Sequence, residues 1–584
     1  MDKKTILAFV VIGIIIVFMP YYQRWLNPAD ESMPVQTETR PAEPEVVPEI
    51  PPESVKPVLD IRPRQSADVK EVVILNEKFA MTLSNLGGGT VRDYTLFDYH
   101  DMNGDPLVLL RESDAANLNL VYTNIYQDGS SLESIPFECP ELEQLQHGDT
   151  LYVQQPRFLH YRTITPEGLR IEKKFTFFPD RYEFDLDLLF ADYLQRLSGL
   201  RYGIVWKDGF AITEKNPADD LMYSSVMAQM GATLAKIDMQ KAKVDERKTL
   251  NTDGQTDWVV FKSKYFTGFI VPKNIKGVRS ELALSRLKNG RDLSVRIDMP
   301  LSKNNFQEDH FIIGLVPAEK KLLASYGIGL EKTMNWGGRI IKPFSIALHW
   351  LMEFFYRLIP NYGVVILIIS LVIKIATYPL TNKSYGSMKR MQMIQPKIQE
   401  LQQKYKNNKE VLQQKTMELY KEEKVNPMGG CFPMLLQLPL LYGLFIVFRT
   451  AIEFRGAPFM LWMKDLSAPD ALFNFGFNIP LLGSEFNVLP ILMTVLMVVQ
   501  QKMSGSGAAA NPQQAQQQKM MLWLMPAMMF FLFYQFPSGL VLYYLIFNLL
   551  TILQQKFVIN KQVERDFVSS HPQKARVIKT KTQK

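Results

Sequence analysis

Apolar residues fall into two unlike patterns along this chain, one before about residue 335 and one after it. From Ser66 to Lys320 they alternate with polar residues in short runs such as Val69–Leu75, Arg170–Phe178 and Tyr182–Leu188. A period of two turns one side of each run inward, and turn signals at Gly87-Gly88-Gly89, Asn103-Gly104 and Asn289-Gly290 punctuate the runs. The pattern predicts one large antiparallel β-domain, a sandwich, over 66–335. After the Trp336-Gly337-Gly338 break, Arg339 to Leu358 carries apolar residues at helical spacing, with Lys342, His349, Glu353 and Arg357 among them. That pattern predicts an interfacial helix lying flat on a membrane, over 336–360.

Long apolar runs follow in 361–556, and spans are expected at about 363–380, 431–452, 486–503, 520–536 and 539–556. Only Pro537-Ser538-Gly539 joins the last two, which forces them antiparallel. Ile6–Met19 is a sixth run, preceded by Lys3 and Lys4 and followed by Tyr21, Tyr22 and Trp25. It reads as a retained signal-anchor over 1–26; a cleaved signal peptide is the alternative, but no small-x-small site follows directly. The linker 27–65 holds nine prolines and eight acidic residues between Pro28 and Pro63, a composition that builds no core and favours extended polyproline conformations. Two runs, Phe486–Val499 and Leu540–Leu553, are each only 14 residues long. As helix that is roughly 21 Å against about 30 Å of hydrocarbon, so the bilayer beside them is expected to thin.

Composition sharpens this division: 18 of the 28 Met lie between Met334 and Met529. Two Cys, Cys139 and Cys431, give neither a disulfide framework nor a zinc site. The net charge of +7 matters less than its placement. Ten Lys and Arg lie between Thr381 and Gly430 against five acidic residues, and the basic tail adds eight from Lys556 on. The loop Glu453–Glu485 has only Arg455 and Lys464. Short cytoplasmic loops are the Lys/Arg-rich ones, so six spans with both termini inside satisfy every loop and leave the β-domain outside the cytoplasm.

No phosphate-cradling, zinc-protease or nucleophile-elbow motif occurs, the six His are scattered, and no cofactor or metal is expected. Lys374 is the informative residue. An ammonium inside a span costs about 2.5 to 3.5 kcal/mol on insertion scales, so it faces water or a partner; snorkelling to the cytoplasmic end, roughly 9 Å away, is the plainer alternative. No Asp or Glu lies inside any of the six runs, which points away from a proton relay and towards a wet cavity open to the cytoplasm. Ser370 shares the face of Lys374, and with Gln437, Tyr543, Tyr544 and Asn548 could line the same cavity, bonding between helices being an equal reading for Gln437 and Asn548. Met525, Met528 and Leu532 continue a stripe from Met521 for which core packing is the commoner explanation. In 381–428, apolar steps from Met388 to Tyr405 and from Leu412 to Leu419 predict a cytoplasmic helical hairpin, with Pro396 in its first arm. Its cations, Lys389, Arg390, Lys397 and Lys404 among them, and the tail 557–584 would attract anionic lipid or ribosomal RNA, although the positive-inside rule accounts for the hairpin charges without a partner.

Several motifs then stand in a specific order: Thr377-Tyr378-Pro379-Leu380-Thr381, Gln395-Pro396-Lys397-Ile398-Gln399, Leu419-Tyr420-Lys421, Lys424 to Pro433, and Phe536 to Tyr544. From about Trp336 to Lys556 the chain resembles the YidC/Oxa/Albino family of membrane-protein insertases, in the Gram-negative form with a large periplasmic domain. The resemblance implies a polytopic α-helical membrane protein of six transmembrane helices, five forming the insertase core, with a periplasmic all-β sandwich domain similar to sugar mutarotases. On that resemblance it would be no enzyme but an insertase and chaperone of the bacterial inner membrane. Its partners would be nascent membrane proteins, the Sec translocon with its accessory subunits, the ribosome and the phospholipid bilayer. A hydrophilic groove lined by Lys374, Ser370 and Tyr544 and a hydrophobic slide of Leu438, Leu441 and Leu532 are implied. Lys374 stands where the family commonly has Arg, keeping the charge but losing the bidentate fork. A small-solute transporter would show internal repeats and paired intramembrane charges, and neither is present. A membrane-tethered carbohydrate-binding or carbohydrate-active protein is the other alternative.

Overall fold

Alternating burial builds the first unit. The computed structural model describes residues 69–111, 116–127, 129–288, 290–405, 408–423, 432–480, 482–505 and 512–559, in two compact units that meet in sequence at Thr333 and Met334. The N-terminal run, the linker, Asn289, Cys431 and nearly all of the basic tail lie outside the described residues. In the strand Glu183–Ala191, Phe184, Leu186, Leu188 and Phe190 are buried between half-exposed neighbours, the period of two read from the sequence. That strand belongs to an eight-stranded antiparallel sheet in the order Thr233–Asp238, Ser225–Met230, Trp258–Lys262, Phe266–Pro272, Phe306–Pro317, Glu183–Ala191, Arg170–Phe177, Arg157–Ile164. A six-stranded sheet, centred on Leu197–Lys207 and Gly290–Pro300, faces it: Phe190 stacks on Tyr202 at 4.3 Å and Phe261 on Trp206 at 4.8 Å. A five-stranded sheet centred on Phe79–Ser84 reaches the same core through Tyr99, edge-on to Phe266 at 5.6 Å. Trp258–Lys262 and Phe266–Pro272 are buried at every position, so both faces of the large sheet are covered there. The sandwich therefore has more layers than the alternation alone implied. One pairing also departs from the antiparallel expectation, Val73 with Thr150 in parallel, which the long excursion between the two strands permits. Two short helices, α1 (Pro217–Met222) and α2 (Lys320–Ser325), complete the unit.

The glycine triplet is a turn. Gly87, Gly88 and Gly89 have φ of 67°, 72° and 83°, and a Cβ on Gly89 would stand 2.5 Å from the Phe175 ring. Only glycine fits that combination. The Gly87 carbonyl and that of Leu118 accept from the fully buried Lys173 Nζ at 2.7 and 2.8 Å.

The second unit is helical: α3 (Lys342–Leu358), α4 (Tyr362–Lys404), α5 (Lys409–Glu422), α6 (Phe432–Thr450), α7 (Leu489–Gly505), α8 (Pro512–Phe533) and α9 (Ser538–Gln554). Ile366, Ile369, Leu444, Phe448, Met493 and Val541 form its centre. The outside is apolar too: Leu371 and Ile375 on α4, Val495 on α7, Trp523 on α8 and Leu553 on α9 are exposed, with Ile375 at 65%. Helices apolar on both sides suit lipid rather than water. Among the described residues, Tyr362–Asn382 and Ser538–Phe557 are long and apolar enough to cross a bilayer, while Leu438–Thr450, Leu489–Met503 and Leu522–Phe533 are shorter apolar helices.

Several boundaries differ from the sequence reading. No break separates the span near 363–380 from the hairpin: α4 continues through Pro379 and Pro396 to Lys404, because each proline removes only one backbone hydrogen bond from a helix otherwise rich in good helix formers. Phe486 lies not in a span but in the strand Gly483–Asn487, where its ring stacks on Phe473 at 5.0 Å. That strand pairs with Ala471–Ile479 in a hairpin exposing Leu472, Phe473 and Phe477, inside a segment read as a loop. The two spans taken as 14 residues become helices of 17 residues each, roughly 25 Å long, so the mismatch that motivated thinning shrinks. On α3, Phe344, Trp350, Phe354 and Leu358 face outward, whereas His349 is turned inward with Leu348 and Met352.

In the β-unit, burial pushes the ammonium groups of Lys173 and Lys262 down to about 7 from the ordinary 10.5. Between those values the unfolded chain holds a proton that the folded chain lacks, so stability rises with pH across that window and is flat below it, where both states are protonated. The steepest contribution is about 1.4 kcal/mol per pH unit for each lysine. Denaturant unfolding of the β-unit in the full chain is expected to need more denaturant at pH 9 than at pH 7, with Lys173→Met losing about half of that gain. An equal gain in wild type and variant would contradict the assignment.

Candidate functional site

Lys374 is positioned by α4, whose start is capped by Asn361 Oδ1 accepting from Val364 N at 3.1 Å. Leu371 and Ile375 face outward, so Ile366, Ser370 and Lys374, spaced by four, line the inner side. Lys374 is 6% exposed. Its Nζ donates to Thr551 Oγ1 on α9 at 2.7 Å and lies 4.7 Å from the centre of the Phe547 ring. The Thr551 hydroxyl in turn donates to Phe547 O at 2.7 Å, so its proton is committed to the backbone and its lone pairs face the ammonium. Among the described residues no carboxylate pairs with Lys374.

A second polar contact lies nearer the end of the same helix pair. Gln554 Nε2 donates to Thr381 Oγ1 at 3.2 Å, and Gln554 Oε1 is buried without a protein partner among the described residues. Lys374 meets Thr551 and Thr381 meets Gln554, so α4 and α9 run in the same direction. Besides the polar hairpin arm α5, three apolar helices, α6, α7 and α8, lie between them in sequence, and an odd number of crossings is the parity that parallel passage through one bilayer requires. Gln554 Oε1 is an acceptor that a water molecule could satisfy.

The residues predicted for a groove fall at different depths. Ser370 is fully buried, its hydroxyl donating to Ile366 O at 2.7 Å. Tyr544, two turns before Thr551, is half-buried and meets the Phe533 ring edge-on at 4.7 Å. Asn548 is buried, while the side chains of Gln437 and Met521 lie outside the described residues. Of the slide residues, Leu438 and Leu532 are 44% and 49% exposed and Leu441 is half-buried. In the hairpin, Ile394, Ile398 and Leu419 form a small core backed by Leu401 and Tyr420, as the apolar steps predict. Lys397 pairs with Glu423 across it, and Lys404 lies 5.7 Å from the Tyr405 ring. The side chains of Lys389 and Arg390 lie outside the described residues.

Thr551 and Gln554 were missed from sequence; a threonine three or four residues before a glutamine in an apolar helix is the only local signal, and it does not name the partner helix. Asp470 was also missed. Its Oδ2 accepts from Leu489 N at 2.7 Å, Val488 N at 2.9 Å and Trp462 Nε1 at 3.2 Å, anchoring the start of α7, and burial raises its pKa.

The family described as 60Kd inner membrane protein matches residues 354–566, and the one described as YidC periplasmic domain matches 71–351. A protein of Pelodictyon phaeoclathratiforme named membrane protein insertase YidC is 32% identical over 576 residues, covering 96% of this chain and 95% of its own. One of the same name from Chlorobaculum parvum is 30% identical over 577 residues, covering 96% and 94%. An active YidC insertase crystal structure with the first transmembrane domain resolved aligns at 16% identity with 94% of this chain and 99% of its own, at a TM-score of 0.35.

Thr551→Val keeps the shape but removes the acceptor from a buried ammonium, a loss expected to cost about 1 to 3 kcal/mol, whereas Thr551→Ser should cost far less. Thermal unfolding in detergent, with helical circular dichroism as the signal, measures both. Equal midpoints for the two variants would show that Thr551 does not hold Lys374.

Proposed function

The chain belongs to the YidC family of membrane protein insertases, inner-membrane proteins with a periplasmic domain, and from that premise we propose how its helical unit inserts a nascent membrane protein. The observation that carries the reading is the buried Lys374, held by a hydroxyl and an aromatic face instead of a carboxylate. A neutral anchor of this kind leaves the positive charge available to an anionic guest; a paired carboxylate would cancel it.

Lys374, with Thr551, Gln554 and Tyr544 on the facing helix, marks a hydrophilic groove open to the cytoplasm, with Ser370 supporting it from within α4. A polar tail that must cross enters this groove, where water and Lys374 replace bulk solvent. Its apolar segment meanwhile partitions into lipid along the exposed Leu438 and Leu532 and the adjoining Leu441. The step lowers a solvation barrier and uses no nucleotide hydrolysis by this chain. Both termini are cytoplasmic and the β-unit periplasmic, with six spans in all including the N-terminal signal-anchor. The hairpin of α4 and α5, with Lys389, Arg390, Lys397 and Lys404, docks the ribosome or anionic lipid, and the Sec translocon receives or supplies longer substrates. The same groove shelters segments before they fold, a chaperone role.

Purified protein in liposomes, given a short membrane protein with an acidic outer tail, tests the charge. Lys374→Arg is expected to retain insertion, Lys374→Ala to slow it about tenfold or more, as loss of roughly 1.4 kcal/mol from the barrier step would, and Lys374→Glu to slow it further. Full insertion by Lys374→Glu at normal protein levels sinks the electrostatic role. Deleting 66–319 separates the units: near-normal insertion is expected, and total loss would move the function into the β-unit.

A further inference from the structure

Three side chains with metal-binding chemistry converge beneath α3. His349 and Glu353 are one turn apart on that helix, and Glu453 comes from the turn Ile452–Phe454 that follows α6. One ligand atom of each lies within 4.8 Å of those of the other two. His349 Nε2 stands 3.0 Å from Glu453 Oε1, and His349 Nδ1 stands 3.8 Å from Glu353 Oε1. The histidine is 1% exposed, and the Trp336 ring meets its imidazole edge-on at 5.1 Å.

Hydrogen bonding alone leaves this cluster unfinished. His349 Nδ1 and Glu453 Oε2 are both buried without a hydrogen-bond partner among the described residues. At 3.8 Å the carboxylate of Glu353 is too far from Nδ1 to accept a hydrogen bond. An imidazole gives one nitrogen to one ion, and one ligand atom of each residue already lies within 4.8 Å of the other two, a small closure away from the roughly 3.3 to 3.5 Å that donors about 2.0 to 2.2 Å from a tetrahedral zinc keep from one another. One imidazole nitrogen with two carboxylates is a set for zinc and its first-row neighbours, whereas calcium and magnesium favour oxygen alone. The i, i+4 spacing puts two of the donors on one helix face.

We propose that His349, Glu353 and Glu453 bind a divalent transition-metal ion of the zinc class, which clips α3 to the turn after α6. Three protein donors leave the fourth position of a tetrahedral ion to water. Without the ion, the packing of Leu348 and Met352 and the contact of His349 Nε2 with Glu453 Oε1 at 3.0 Å remain. The clip joins two segments a hundred residues apart, and it is independent of the groove at Lys374.

The full chain, purified in detergent, stripped with EDTA, reloaded with zinc chloride and desalted, should retain about one zinc per chain by mass spectrometry. Asp187→Asn, which disables the more exposed group of Asp187, Glu308 and His310, should retain the same amount. Glu353→Gln and Glu453→Gln, which preserve size, should each weaken zinc by more than about tenfold, the loss that even an outer-shell change produces. His349→Ala should abolish retention. Cobalt(II) in place of zinc should give the intense visible absorption of a four-coordinate ion in wild type and lose it in Glu453→Gln. Zinc should also raise the thermal midpoint of the wild-type helical signal, with EDTA reversing the rise, so a variant that merely fails to fold is not mistaken for loss of a ligand. Zinc retained equally by wild type and Glu353→Gln, lost only in Asp187→Asn, or not retained by wild type at all overturns the proposal.

Discussion

A single ammonium group that must sit among apolar helices sets the terms for the helical unit. Lys374 cannot be left bare there, and no acidic residue of the surrounding runs is available to neutralise it. The solution is a threonine whose proton is already given to the backbone and a phenylalanine ring below, both on α9. Each contact is weak beside an ion pair, yet together they fix which helix faces α4, and at what height. Thr381 and Gln554 repeat the register further along. The start of α9 is fixed separately: there Ala468 O and Leu466 O, from the segment between α6 and α7, accept from Ser538 N and Gly539 N.

The β-unit meets the same problem and answers it differently. Lys173 is wholly enclosed and hydrogen-bonds to two backbone carbonyls, one from the glycine turn. Burial there lowers its proton affinity, so near neutrality this amine is poised to be uncharged. It ties the large sheet to the turn at Gly87 and the bend at Leu118. The chain thus ties one buried lysine to main-chain oxygens between layers and holds another between helices by a side-chain hydroxyl and an aromatic face. What separates them is the partner: rigid main-chain oxygens in one case, a side-chain hydroxyl in the other.

Features with a local cause were legible in the sequence. The alternation of Phe184, Leu186 and Leu188, the turn at Gly87 to Gly89, and the hairpin core of Ile394, Ile398 and Leu419 all follow from residues close together in the chain. What depended on distant partners was not. Thr551 becomes an acceptor only because α9 lies beside α4, Glu453 meets His349 across about a hundred residues, and the covering of Phe266–Pro272 on both faces needs a third sheet. Hydropathy also misplaced the start of α7, because it counts Phe486 as membrane-seeking while stacking on Phe473 and the Asp470 anchor place it before the helix. The helix through Pro379 escaped notice for the opposite reason, since proline is read as a stop although a helix can lose one bond and continue.

That unbroken α4 has a mechanical meaning. Its 43 residues make a rod roughly 65 Å long, with Lys374 in the first third and the partner of α5 in the last. A load applied at the hairpin tip is therefore delivered as torque about the segment packed against α9, with the outer arm longer than the inner one. Pro379 and Pro396 are the two places where the rod bends most easily, and both lie on the hairpin side of Lys374. Small displacements at the tip are absorbed at those joints; only larger ones turn the part of the rod that holds the ammonium.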